Sequence, residues 1–571
     1  MNRLAGRAAG GDHPRTRIGL VCLPGLEGVI AAARASLEWV EIEPQVSWFP
    51  AQGIDSILRS HPVSVAREHS FPILLHSVSA PVGGTVMPPA QQVDLLAELV
   101  GELRCPWISE HLSFLRIPNG GDGTFTGVLL APPQTQEAVE VAAANINYLR
   151  HGVGVPVAFE TGVNYLAPRT GELSDGAFFR AVAQASDSGI LLDLHNLWCN
   201  EQNGRQRARD VIDELPLDRI WEIHVAAGYR LDGYYLDAHS GPAERPVLDL
   251  LTEILPKLPN LQAVVFEVSP DRIRLDGLTV DAIVEHLADL ASLVGECAPP
   301  PGRRLVQPRM KAGTAPTASL RSGNPSGVEL WERHLGGLVI DHTIPGELAD
   351  ALASDRGHGV WRTIAEASRR GQLAGALPLT MGLLLRSVGE AAVLEALKEI
   401  WVRLPPAETC AGEIGQLAPR LRMKWGDVVP LFNEVLDFEL DFINDVYACR
   451  HRPESGGVET VELGMSMNFG GSHQVLDDFV ELPEHDKKRM ARLYEEVQGR
   501  LVEMSLIVAR NLGMNISERT TVMLRPVTVK ADKTTEEAPV GRKVEVHCTE
   551  TSSGHFECGC YDYEAGTCGP C

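Results

Sequence analysis

Carboxylates and imidazoles recur at the ends of short apolar runs along the first half of this 571-residue chain. Glu41 and Glu43 close WVEIE, His76 sits in PILLHSV, Glu110 and His111 in PWISEHL, and Glu160 ends PVAFE. Asp193 ends GILLDL with His195 and Asn196 just beyond it. Glu222 and His224 lie in RIWEIHV, Asp237 and His239 in the loop that follows, and Glu267 in AVVFEV. No Lys or Arg stands among these terminal positions, so the acids would repel one another strongly if they were gathered without a cation. Mixed His, Asp, Glu and Asn ligation without thiolate suits iron, manganese or zinc, and the donors outnumber what one ion with an open position needs. The expectation is two or three metal ions. Taken alone, His76 or His224 reads as a hydrogen-bonded core histidine, and Glu41, Glu43 and Glu222 as supporting or ion-paired groups. The argument for a site is the repetition at one end of successive runs. His195 is expected to point away from its neighbours on the strand and is left out of the ligand set.

Those residues need a frame that brings run ends together. Eight runs, at 17–23, 39–43, 72–78, 106–112, 156–160, 189–194, 219–225 and 263–268, alternate with amphipathic stretches such as 90–103, 135–150, 175–187, 246–257 and 278–295. Continuous apolar strands, each followed by a helix, are the pattern of a parallel sheet buried on both faces. Eight such units in about 280 residues fit a closed (β/α)8 barrel, in which strand ends and the loops after them face the active site. The fold class expected is α/β: a TIM-type barrel, then a mainly helical second domain and a Cys-rich flexible tail. No Gly-x-Gly-x-x-Gly turn follows the first strand, which argues against a dinucleotide site.

Composition narrows the partners. The net charge is −24, a poor match to a phosphate backbone, so nucleic acid is not expected. The first twenty residues lack the apolar run of a signal peptide and no stretch reaches the ~20 apolar residues of a membrane span, which reads as cytoplasmic with no membrane partner. Six of the eleven cysteines (Cys22, Cys105, Cys199, Cys297, Cys410 and Cys449) are scattered, as reduced packing thiols are. Cys548, Cys558, Cys560, Cys568 and Cys571 crowd the final stretch.

The domain reading is a barrel over 1–297, a Pro/Gly/Ser-rich linker over 298–328, a helical domain over 329–529 that could bind a peptide, and a tail over 530–571. Segments 428–448 and 486–513 carry helical periodicity. Asp437, Asp441 and Asp445 fall on one face of the first and read as a solvated face. The tail is polar and rich in Cys, Ser, Thr and Gly. It reads as a substrate-like segment, with a zinc site or a redox pair as the other readings.

The motifs LLHSVS, ISEHLSF, AFETGVNYL, LLDLHNLWCN, EIHVAAG, LDAHSGPA and FEVSPD, in this order over about 17–295, resemble the multinuclear non-haem iron-dependent oxidases, long a domain of unknown function. That resemblance implies a TIM-type barrel holding two or three irons, in mixed Fe(II) and Fe(III) states, with dioxygen as co-substrate. It implies oxidation of cysteine residues in ribosomally made precursor peptides, as in methanobactin maturation. Carried over residue by residue, it implies metal ligands at His76, His111, Glu160, Asp193, Asn196, His224, Asp237, His239 and Glu267, with Asp193, His224 and Asp237 acting in catalysis. The chain departs from the family after the second run, where Glu41-Ile42-Glu43-Pro44-Gln45 replaces Glu-Val-His-x-Glu-Asn, and at Thr161, where Asn is common after the glutamate. The partner implied is a cysteine-containing precursor peptide, acting in trans or as the C-terminal tail in cis, with the helical domain gripping its leader. Two other functions fit the residues: a zinc or manganese hydrolase or isomerase on the same barrel, and a metal-sequestering protein whose tail does the binding.

Overall fold

The computed structural model describes residues 17–47, 54–297 except 59 and 276, 326–340, 345–440 except 431 and 434, and the strand segments 521–522, 544–550, 556–562 and 567–570. Eight strands close a parallel barrel: β1 (Arg17–Val21), β2 (Trp39–Ile42), β3 (Ile73–Ser77), β4 (Ile108–His111), β7 (Val157–Glu160), β8 (Gly189–Asp193), β9 (Ile220–Val225) and β12 (Ala263–Phe266). Their order around the barrel is β1-β12-β9-β8-β7-β4-β3-β2, so each sequence run is one stave. Two antiparallel hairpins interrupt the alternation, β5 (Phe114–Ile117) with β6 (Thr124–Leu130) after β4, and β10 (Gly228–Leu231) with β11 (Tyr234–Asp237) after β9. Both follow strand C-terminal ends, the face on which barrel enzymes carry their chemistry.

Helices α1 (Glu27–Ala32), α2 (Asp55–Leu58), α3 (His61–Glu68), α4 (Ala90–Leu103), α5 (Gln136–Val153) and α6 (Asp175–Ser186) precede α7 (Leu194–Gln202), α8 (Ala208–Glu214), α9 (Arg245–Ile254), α10 (Pro270–Leu275) and α11 (Val280–Cys297). Their apolar faces and the outward strand residues form one large core.

Inside the barrel the two-residue period of the strands sorts side chains into layers. Val21, Trp39, Leu74, Trp107, Ala158, Leu191, Trp221, Ala263 and Val265 make a separate apolar floor. Two residues further along six of these strands come Glu41, His76, Ser109, Glu160, Asp193 and Glu267. The floor needs Gly189: a Cβ there would stand 2.2 Å from the Trp221 ring, so only glycine leaves room for the indole. A register shift between Ile190 and Leu191 against β9 accommodates the same ring. Most inward polar residues therefore stand in the C-terminal half of the barrel, while Glu222, in register with Leu191 and Ala263, reaches into the floor and accepts from Trp107.

The first compact unit, Met1–Phe49 with Gly53–Glu366, runs past the boundary expected at 297. It includes α12 (Gly327–Val339), α13 (Glu347–Ala353) and the first half of α14 (Gly357–Ala376). Phe114, Leu130, Tyr165, Leu236, Trp331, Leu335 and Trp361 share a second core with them, because the hairpins present apolar faces that the barrel cannot cover. The expected linker at 298–328 lies outside the described residues except at its end.

Glu332 on α12 is buried and accepts hydrogen bonds from the Thr85 amide (2.6 Å) and hydroxyl. Burial pushes its carboxyl from 4.5 up to about 8. The stability tied to its proton is complete below the unfolded value and is lost as pH rises toward 8. Glu332→Gln keeps the shape without the charge. Its Tm relative to wild type is expected to climb between about pH 4.5 and about pH 8 and to level off above that. A difference independent of pH in thermal unfolding by circular dichroism would show that Glu332 does not titrate in that range.

The second unit, Pro50–Gln52 with Ala367–Cys571, contains α15 (Pro378–Ser387), α16 (Glu390–Trp401) and α17 (Cys410–Trp425) around Leu373, Leu397, Trp401, Leu417, Leu421 and Phe432. Asp437 pairs with Arg422 rather than standing free, and Asp441, Asp445 and the segment 486–513 lie outside the described residues. The final stretch, expected to lack fixed structure, carries β13 (Thr521–Val522), β14 (Val544–Glu550), β15 (Phe556–Asp562) and β16 (Thr567–Pro570) in one antiparallel sheet. In that register Cys548 stands opposite Cys558. Among the described residues, no helix is long and apolar enough to cross a membrane.

Candidate metal centre

Each stave delivers its polar residue with a local support. His76 on β3 is buried; its Nδ1 meets the Ser109 hydroxyl at 2.9 Å, leaving Nε2 3.5 Å from Glu160 Oε2. His111 at the end of β4 places Nδ1 3.1 Å from the Ser77 carbonyl, which can only accept. That carbonyl fixes the proton on Nδ1, so a neutral ring turns its Nε2 lone pair toward Glu160 Oε2, 2.9 Å away. Asp193 ends β8 and caps α7: its Oδ1 accepts from the Asn196 amide at 2.7 Å. The cap uses only the backbone of Asn196 and leaves Asp193 Oδ2 for the site. Asn196 in turn donates from Nδ2 to Glu160 Oε1 (3.3 Å).

His224 on β9 stands between two carboxylates, with Nε2 3.0 Å from Glu41 Oε1 and Nδ1 3.2 Å from Glu267 Oε1. The other oxygen of Glu267 lies 3.3 Å from His239 Nε2, which is 3.0 Å from Asp237 Oδ1. His239 holds this position with φ +45, a left-handed backbone that a non-glycine residue adopts at a cost and that clusters at functional sites. All nine residues singled out in the sequence thus fall into one continuous cluster. Among the described residues, three overlapping groups have donor atoms within 4.8 Å of one another: His76, His111 and Glu160; Glu41, His76 and His224; and Glu160, Asp193 and His224.

Several of these close approaches lack hydrogen-bond geometry. Both Glu41 oxygens, Glu160 Oε2, Asp193 Oδ2, Asn196 Oδ1, Asp237 Oδ1 and both His224 nitrogens are buried with no hydrogen-bond partner among the described residues. Burial, then the charges of Glu160, Glu267 and Asp237, pushes the Asp193 carboxyl well above the usual range. Burial and the Glu41 carboxylate do the same to Glu222, whose Oε2 accepts from Trp107 Nε1 (3.0 Å). Burial would lower His111 and His224, yet facing carboxylates hold both well above the ordinary imidazole value. Protons alone must therefore offset the charge of this cluster. A cation removes both the unpartnered lone pairs and the repulsion, and two imidazoles with one carboxylate, as in the His76 group, is the ligand set of non-haem iron oxygenases. The residues fit a divalent metal such as iron, manganese or zinc.

Above the cluster lies a cavity of about 230 Å³ bordered by His76, His111, Glu160, Asp237, His239 and Glu267 on one side. Its wall includes the loop after β7, held by buried Arg205, which donates to Leu166 O (2.6 Å) and pairs with Asp175. Arg205→Ala would leave Asp175 buried and unpaired, and is expected to destabilise by about 3–5 kcal/mol in denaturant titration. A loss under about 1 kcal/mol would mean the pair is dispensable.

Sequence reasoning missed part of this. Glu41, which the nine do not include, stands on the inward face two residues beyond Trp39 and meets His224. His195 does not point away: buried, it brings Nε2 within 3.6 Å of Asp237 and 3.4 Å of the Cys199 sulfur. Its approach to Asp237 follows from helix α7 starting at Leu194, where the two-residue alternation ends, and it belongs to none of the three donor groups. Trp361 and Ile364, which also line the cavity, carried no signal in the sequence.

Among known proteins the chain is similar to a UPF0276 protein of Streptomyces avermitilis, 30% identical over 223 residues, which are 38% of this chain and 45% of that protein. The match thus spans less than half of that relative. A UPF0276 protein of Chromobacterium violaceum is 26% identical over 241 residues, 42% of this chain and 86% of that protein. Among solved structures, D-psicose 3-epimerase in the presence of D-fructose aligns at 12% identity and a TM-score of 0.34, covering 49% of this chain and 99% of that one. Residues 18–282, most of the barrel, match the family described as RiPP precursor modification enzyme MbnB/TglH/ChrH. That match takes in the barrel and less than half of the whole chain, so the likeness to this family is a likeness of the barrel.

Proposed function

We propose that this protein uses iron and dioxygen to oxidise cysteine residues of a ribosomally synthesised peptide, either a separate precursor or its own C-terminal stretch. The observation that carries the reading is the buried group of His76, His111 and Glu160, joined through Glu160 to Asp193 and His224 without any Lys or Arg in the cluster. Two or three irons held by the nine residues would supply the one-electron chemistry with which dioxygen oxidises a thiol-bearing residue.

The chain's own groups do the rest. Ser109 and the Ser77 carbonyl orient the two imidazoles, and Asn196 orients Glu160. Asp237, with a side chain 23% exposed, takes the proton of a cysteine thiol entering from the cavity. The apolar floor keeps water from the far side of the barrel. The second unit is the candidate for gripping the leader of the peptide.

The test is mass spectrometry of the C-terminal tryptic fragment, and of a separate peptide of the same sequence, after the ferrous-loaded chain meets air. A mass change with dioxygen uptake is expected, absent in His224→Ala. Zinc or manganese in place of iron in the purified protein, or no change in either peptide, would overturn the oxidase and favour a divalent-metal hydrolase or isomerase.

A further inference from the structure

The cavity over the cluster is not enclosed by the barrel alone. Trp361 and Ile364, one turn apart on α14, complete its wall, although both lie far beyond residue 282 where the family match ends. Their placement is tightly determined. The first turn of α14 sits on the loop after β7 so closely that a Cβ at Gly357 would stand 2.2 Å from the Tyr165 carbonyl oxygen. The Asp355 carboxylate accepts from the Ala167 amide at 2.8 Å, and Arg205 holds the neighbouring Leu166 carbonyl. Trp361, 1% exposed, packs edge-on against Tyr165, with ring centroids 5.4 Å apart and planes at 74°. The Tyr165 hydroxyl accepts from the Asp237 amide at 3.3 Å. One rigid indole therefore both limits the cavity and braces the residue behind Asp237.

Size and charge restrict what can enter. A volume of about 230 Å³ is below the roughly 300–1,000 Å³ of sites for drug-sized molecules. Among the described residues no Lys or Arg lines it, so a carboxylate finds no cationic side chain there. A cysteine beside a residue without a side chain suits that space, and a branched neighbour would meet the indole. The chain carries such a segment itself in Glu557-Cys558-Gly559-Cys560-Tyr561.

We propose that Trp361, with Ile364 beside it, is a specificity-determining residue that restricts the site to peptide segments with glycine next to the cysteine. The inference rests on the peptide-modifying reading above and adds a selection rule from outside the family-matched barrel. It makes α14 part of the binding site.

The experiment titrates the full chain, loaded anaerobically with ferrous iron, with two acetylated and amidated pentapeptides by calorimetry. One is residues 557–561, the other the same peptide with Gly559→Leu. Wild type is expected to bind the glycine peptide at least about tenfold more tightly, the discrimination a tight apolar wall supports. Trp361→Ala should bring the two affinities within about threefold, and Trp361→Phe should keep most of the difference. Ile364→Ala, at a half-buried position, should narrow the ratio in the same direction if the larger truncation unfolds the chain. Iron content by elemental analysis should stay at the wild-type value in every folded variant. An unchanged ratio in the alanine variants, equal affinities in wild type, or no binding of either peptide would overturn the proposal. Admitting air afterwards separates the two ideas: discrimination that depends on Trp361, without a mass change in the peptide, sinks the oxidase and leaves the wall standing.

Discussion

Glu160→Ala is expected to lose most of the bound metal and to lower metal-dependent turnover by about 100-fold or more, since even residues that only orient a metal ligand cost 10–100-fold. Glu160 is the joint of the cluster. Its Oε2 faces His76 and His111, and its Oε1 faces Asn196 and lies 4.0 Å from His224. Removing it therefore breaks two of the three donor groups at once. The loss should not come from unfolding, because a buried acid is deleted from a site crowded with acids. The metal-free variant is expected to melt no lower than metal-free wild type. Glu110 provides the contrast. It is as deeply buried and next to His111, but its oxygens accept from the Ala80 and His111 amides at 2.9 and 2.8 Å. Glu110→Gln should keep the wild-type metal count in elemental analysis. If Glu160→Ala retains that count too, the cluster is not the metal site.

Stripping metal is expected to lower the melting temperature, and the gap between loaded and stripped protein should widen as pH rises from about 5.5 to about 8. In the metal-free cluster Asp193 and Glu222 are raised well above the carboxylate range, first by burial and then by neighbouring charges. His111, His224 and His239 are raised as well; burial opposes this, and the carboxylates around them outweigh it. For every one of these groups the folded value exceeds the unfolded one. The stability each contributes is complete at low pH and is lost as pH rises through the folded value. Glu41, Glu160 and Glu267 are shifted the other way, Glu267 to about 2, and their contributions fade only in acid below the window. A divalent cation replaces the missing protons, so it binds more tightly as pH rises and stabilises by about 2.7 kcal/mol at a hundredfold excess over its Kd. Scanning calorimetry with and without anaerobic ferrous iron at three pH values measures the gap. A gap that stays constant or shrinks would mean that protons and metal do not compete for these atoms.

Much of this protein is readable in one dimension. The eight apolar runs identify the barrel because a strand buried on both faces needs a continuous run, and each run is a local property of five or six residues. The same locality made His76, Glu160, Asp193, His224 and Glu267 visible as candidates: each ends a run, and strand ends of a parallel barrel converge on one face whatever the loops do. Asp193 and Asn196 stood out through LLDLHNLWCN, one of the motifs that carry the family resemblance.

What escaped depends on contacts that sequence spacing does not encode. The approach of His195 to Asp237 depends on the residue at which strand β8 gives way to helix α7, and on the β10–β11 hairpin that brings Asp237 over it. The strands of the final stretch, which among the described residues pair with one another, do alternate in Val544-Glu545-Val546-His547-Cys548, but the polar composition around them outweighed so short a pattern. The cavity wall is the clearest case. Trp361 meets Tyr165 across almost two hundred residues because Gly357 lets α14 rest on the loop after β7. The sequence alone determined that a barrel would gather metal-binding side chains at one end. Only the tertiary structure decided which residues close the space above them, because a strand end is set by its immediate neighbours and a wall is set by long-range packing.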